Sequence, residues 1–189
     1  AFPEVDGGIM DGWTESAYEL IYHHGNAVFR ELNENQRQQA TARGYDSAKL
    51  ERGREHLHRR FQSFTPAEVD YYGDHGVLAE MTLFDINEDA LYWLRWRRED
   101  GLREGLAFRR ALDEMPRRIL LGNGPRSAVF SGMTALDFHA WDQIVDLLLV
   151  KHYFWHRGFD GMYGTVARWV QQIQAWNPSL SEAQCWKVL

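Results

Sequence analysis

The chain has 189 residues, 44% hydrophobic, 25% charged and 14% aromatic, with a formal net charge of −6. That length suits one folded domain, and that balance belongs to a globular chain rather than a disordered one. The acidic charge argues against a nucleic-acid surface, and a single cysteine, Cys185, excludes an internal disulfide and a thiolate metal cluster within one chain.

Residues 1–13 are polar and glycine-containing and read as an extended N-terminal arm, with residues 14–189 as one helical domain. The opening Ala-Phe-Pro reads as a processed N-terminus from which a targeting segment has been removed. A hydroxyl at Thr14 can cap a first helix, whose face is Ala17, Ile21, His24, Val28 and Leu32 at spacings of three and four. Asn33 and Asn35 predict a bend, and Gly44 a stop. Asp46 and Ser47 cap a second helix with the apolar stripe Leu50, Leu57, Phe61 and Phe64. Thr65-Pro66-Ala67-Glu68 joins a capping hydroxyl, a proline at the first helical position and a glutamate that reaches back, the cleanest local signal in the chain.

Gly73 and Gly76 weaken the helix opened by that box, so Tyr72 to Gly76 reads as a turn. Asp85 to Glu88 offers another capping box, opening a long helix through Ala90, Leu91, Leu94, Leu102, Leu106 and Leu112 that ends before Pro116. Leu121-Gly122-Asn123-Gly124-Pro125 reads as a loop on turn chemistry. Thr134 and Asp137 then open the most apolar helix, over about 135–157, with Lys151, His152, His156 and Arg157 in its last turns and Gly158 as its stop. A further helix runs to Trp176 and halts at Asn177-Pro178, and Ser179 with Glu182 caps a short final one. No alternation supports a sheet. The expectation is all-α, one domain of six to seven helices. The longest apolar stretch, Ile144 to Val150, is interrupted by Asp146 and too short to span a membrane.

Eight histidines raise the question of a metal. His152 and His156, four apart, share a helix face, and Glu55 with His58 has the three-residue spacing of di-metal helical bundles. Such a bundle site needs a second Glu-x-x-His and two facing glutamates, and this sequence has the motif once. The expectation is no metal and no cofactor; the residues that would ligate an ion are His152, His156, Glu55, His58, His139 and Asp142. His139, Asp142 and Asp146 fall on one stripe of the expected 135–157 helix. They read either as a proton-transfer or cation site or, the favoured reading, as ion-pair partners for arginines such as those at 95, 97, 98, 109 and 110. No nucleophile elbow occurs, and Gly122-Asn123-Gly124 is too short to cradle a phosphate. Trp155-His156-Arg157 resembles the Trp-His-Arg of a copper-binding helix in tyrosinase-like oxidases over those three residues. The Glu expected further along is missing, and Gly158 and Gly161 interrupt the helix, so the family's function is not carried over.

The basic residues are 18 Arg and three Lys, and eight Trp are present. Arg and Trp are enriched at protein interfaces, where Lys is depleted; a GC-rich genome would give the same arginine bias. Arg95, Arg97 and Arg98 interleave with Trp93 and Trp96, flanked by Glu88, Asp89, Glu99 and Asp100, which fits a protein partner or an intrachain salt-bridge face better than nucleic acid. The functional expectation is a non-catalytic accessory subunit of a larger assembly, in a mitochondrial energy-transducing complex such as an ATP synthase or respiratory complex. Its partners would be other protein subunits, touched through Phe2, Trp13, Trp93, Trp96, Trp176 and Trp186. The alternatives are a helical metal-dependent oxidoreductase and a secreted effector or toxin domain.

Overall fold

A computed structural model of the chain describes residues 5–11, 20, 28–73, 75–124, 137–149 and 162–189. Helices dominate, but the protein is not all-α. Three short parallel strands, β1 (Gly7–Asp11), β2 (Leu120–Gly124) and β3 (Leu147–Leu148), form a sheet in the order β1-β2-β3. Among the described residues the helices are α1 (Glu34–Ala42), α2 (Ser47–Phe61), α3 (Pro66–Tyr72), α4 (Val77–Leu83), α5 (Glu88–Asp113), α6 (Met162–Trp176) and α7 (Glu182–Lys187). A 3-10 turn, Ala140–Gln143, precedes β3.

Caps written in the sequence set most helix starts. Asn33 does not bend a helix but begins one: its side chain accepts from Gln36 N–H while the Gln36 side chain accepts from Asn33 N–H. Asp46 accepts from Ala48 and Lys49 N–H to open α2, and Thr65 with Glu68 makes the expected reciprocal box at α3. The start of α5 belongs to Asn87, which accepts from Ala90 N–H, rather than to Asp85, which sits at a left-handed φ of 48°. Ser181, not Ser179, caps α7, in a box with Gln184. Gly76, at φ 81°, makes the sharp turn into α4, a helix the sequence reading does not contain.

Two apolar clusters share α5, which at 1.5 Å per residue is roughly 39 Å long. Its first half packs on α2 at Gly53, where a Cβ would lie 1.9 Å from Asp89 O, so the helices touch backbone to backbone. Around that contact lie Leu50, Leu57, Phe61, Trp93, Trp96, Trp169, Val170 and Ile173. Phe61 is the aromatic hub, with ring centroids of Phe84, Phe29, Phe64 and Trp169 at 5.1, 5.3, 5.8 and 6.3 Å. The expected first helix would carry Val28 and Leu32, and both are buried, but residues 28–33 are not helical; apart from the buried Leu20, the rest of that helix lies outside the described residues. This irregular segment is tied across α2 by the buried Arg54, which donates to Phe29 O at 2.8 Å and to Glu51 at 2.8 Å, while Glu51 accepts from Leu32 N–H. The second half of α5 packs beneath the sheet. There Gly105 lets Ile144 approach, within 2.6 Å of where a Cβ would stand.

Two further segments depart from the sequence reading. The segment read as a loop, Leu121 to Gly124, belongs to the central strand, and the helix expected over 135–157 is, in its described part, a 3-10 turn followed by a strand. Both belong to parallel pairs, whose partners are far away in sequence: residues 12–119 lie between β1 and β2, and residues 125–146 between β2 and β3. No helix of the described residues is long and apolar enough to cross a membrane.

Candidate functional site

The sheet is built around small residues. In register, Gly7, Gly8, Ile9, Met10 and Asp11 of β1 face Leu120, Leu121, Gly122, Asn123 and Gly124 of β2, and Gly122 and Asn123 face Leu147 and Leu148 of β3. A Cβ on Gly7 would stand 2.6 Å from Leu120 O, and one on Gly122 would stand 2.9 Å from the Ile9 side chain. Glycine in a strand marks such close approach. The third strand is longer in hydrogen bonds than in name: Asp146 N–H donates to Leu121 O at 2.7 Å and Leu149 N–H to Asn123 O at 2.9 Å.

Side-chain alternation gives the sheet two faces. The core face carries Met10 and Leu121 against Trp141, Ile144 and the α5 residues Leu102, Leu106, Phe108 and Leu112. Asp146 sits on this side. Its carboxylate accepts from Leu121 N–H at 2.9 Å, from Arg109 at 3.3 Å and from Arg118. The backbone N–H and then Arg118 and Arg109 hold it below the usual aspartate range, against the opposing effect of burial. Arg109 also donates to Ile119 O, so one buried guanidinium fastens α5 to both sides of the β2–β3 pair.

The outer face is different. Along it lie Val5, Ile9, Leu120, Leu147 and Leu149, with exposures of 47%, 54%, 48%, 50% and 45%. All five are aliphatic, and Gly7, Gly122 and Gly124 lie between them. Parallel sheets are found with both faces covered. Here α5 and the 3-10 turn cover one.

Asn123 stands at the carboxyl end of the central strand. It is 1% exposed on the core face, in the row Met10–Asn123–Leu148, and neither its Oδ1 nor its Nδ2 has a hydrogen-bond partner among the described residues. Asn177, 3% exposed, is the opposite case: its Oδ1 accepts from Phe64 N–H at 2.8 Å, and its Nδ2 donates to Phe61 O and Ile173 O, both at 2.8 Å. One buried asparagine side chain is fully used by the fold and the other is not.

No family model, curated protein or solved structure matches this chain. Its function is therefore read from its own residues.

Of the six residues expected to meet partners, Phe2 and Trp13 lie outside the described residues. Trp93 and Trp96 are 1% and 5% exposed, which corrects the expectation of surface contacts: the chain's own core covers them. The arginines beside them are occupied within the chain. Arg97 lies over the Trp93 ring at 5.0 Å, Arg95 over Tyr92 at 5.5 Å and 3.6 Å from Glu99, and Arg98 3.8 Å from Asp137. Trp176 is half-buried, its ring edge-on to His58 at 5.2 Å. Trp186, at 49%, is open to a neighbour.

The candidate metal ligands among the described residues are not brought together. Glu55 is exposed beside Arg54, while His58 stacks on Phe29 at 4.9 Å; burial and then Arg54 lower its pKa. His139 and Asp142 are exposed on the 3-10 segment, and His152 and His156, with Trp155 and Arg157, lie outside the described residues. Among the described residues no three His, Cys, Asp or Glu side chains converge as a metal site requires. The stripe of His139, Asp142 and Asp146 dissolves with its helix, and Asp146 takes the structural role, paired with Arg109.

The outer-face residues and Asn123 were missed by the sequence reading. The signals available were two apolar runs close to glycine or turn residues, the short Ile119 to Leu121 and Ile144 to Val150, the second of strand length.

Proposed function

We propose that this chain is a non-catalytic component of a larger protein assembly, and that the outer face of its parallel sheet is where another polypeptide packs. The observation that carries the reading is the row of five half-exposed aliphatic side chains at 5, 9, 120, 147 and 149 on one sheet face. An apolar patch of this kind marks an interaction surface. A row that is aliphatic throughout calls for a facing layer of aliphatic side chains, as one packed secondary-structure layer meets another.

Trp186 and the half-buried Trp176 offer a second, smaller contact. The mitochondrial energy-transducing setting expected from the sequence belongs to the same proposal and is tested separately, by fractionating cells that produce the tagged chain.

The packing itself is tested by a photo-crosslinking residue placed at position 120 or 147 in producing cells, with position 91 on α5, 54% exposed, as control. Discrete adducts heavier than the 22.1 kDa chain are expected from 120 and 147 and not from 91. Equal labelling at all three, or none, would sink the reading.

A further inference from the structure

Asn123 occupies the carboxyl end of the central strand of three parallel strands, the end at which parallel sheets present their binding sites. Its carboxamide has two donor hydrogens and an acceptor oxygen, all withdrawn from water and none paired among the described residues. An unpaired buried amide destabilises a fold, and an aliphatic side chain of similar size would fill the same space without that cost. Asn177 shows what a purely structural buried asparagine does in this protein: it closes three hydrogen bonds with backbone groups. Among the described residues, the ionised groups on the same face, Asp146 with Arg109 and Arg118, are paired with one another and are not free to hold an ion. Gly122 and Gly124 on either side of Asn123 carry no side chain that could serve it instead.

We infer that Asn123 is the recognition group of a small-ligand site at this sheet end, taking a neutral molecule that presents a donor and an acceptor side by side. A primary carboxamide and a vicinal diol share that chemistry. The site uses the core face of the sheet and is independent of the outer-face contact.

The test is nuclear magnetic resonance on the full-length chain, reading the side-chain NH2 pairs of Asn123 and Asn177, each assigned by through-bond correlation to its own backbone. Propionamide serves as the carboxamide probe and cis-1,2-cyclohexanediol as the diol probe. One of them is expected to shift the Asn123 pair in a saturable manner and leave the Asn177 pair in place; which one does so identifies the ligand type. Asn123→Leu is expected to melt roughly 5 °C higher than the wild type, since the unpaired amide is gone, and to bind that probe at least about tenfold more weakly. No response of the Asn123 pair to either probe would overturn the inference, and so would a lower melting temperature for Asn123→Leu, which would mean that water or the fold already satisfies the amide. Because the resonance assignment does not depend on the variant, a variant that fails to fold leaves the wild-type titration to decide.

Discussion

Asn177 binds three separate pieces of the helical core, the end of α2, the segment before α3 and the last turn of α6, through one side chain. Removing it would leave Phe64 N–H and Phe61 O buried without partners. Asn177→Ala is therefore expected to lower unfolding stability by about 3 kcal/mol, measured by urea titration. A loss within about 0.5 kcal/mol would show that the three bonds are replaceable. His58 acts through its neutral form. Burial and Arg54 depress its pKa below the ordinary 6.5, so the folded state disfavours the proton that the unfolded chain accepts. Stability from this residue is present above that value and is lost as pH falls. Glu51 and Asp146, both held low in the folded state, act in the same direction at more acid pH: burial opposes the charge of Glu51 but Arg54 and Arg37 outweigh it, and Leu121 N–H leads for Asp146. His58→Phe, which keeps the ring stacked on Phe29, is expected to flatten the stability profile between about pH 7 and pH 5 and to leave the steeper loss below it. An unchanged slope in the first interval would contradict this role for His58.

At the scale of elements, α2 and α5 meet where Gly53 removes a side chain. A methyl group there would collide with the Asp89 carbonyl, a backbone group that cannot swing aside. Gly53→Ala is expected to cost about 3 kcal/mol or more and to split α5 from α2, seen as loss of amide protection along residues 88–100. Legibility in the sequence depends on range. The caps at Asp46 and Thr65 are local agreements between neighbouring residues, and they were readable without the rest of the chain. The choice between Asp85 and Asn87 as the start of α5 was set by backbone geometry instead, with Asp85 taking a left-handed turn. The strands were illegible because a parallel pair has no hairpin to announce it. Gly122-Asn123-Gly124 looks like a turn until Ile9, more than a hundred residues away, is seen packed against Gly122. Likewise Leu147 to Leu149 are strand residues only because Leu121 and Asn123 supply their hydrogen-bond partners.

At the scale of the whole molecule, most of the described tryptophans and phenylalanines lie inside or against a core centred on Phe61 and Trp93, and many of the described arginines are held in intrachain ion pairs such as Arg54–Glu51 and Arg109–Asp146. The proposed contact surface is the aliphatic outer face of the sheet. Side chains already exposed in the isolated chain can be charged at little cost, whereas side chains covered by a partner cannot. The direct measurement compares wild type with Leu120→Lys/Leu147→Lys by native mass spectrometry from producing cells, alongside the melting temperature of the purified chain. The wild type is expected in a particle heavier than 22.1 kDa. The double variant is expected as the free chain, with its melting temperature within about 4 °C of the wild type. A wild-type chain that is already free, or a variant that unfolds or stays in the particle, would contradict the assignment of the sheet face to a partner.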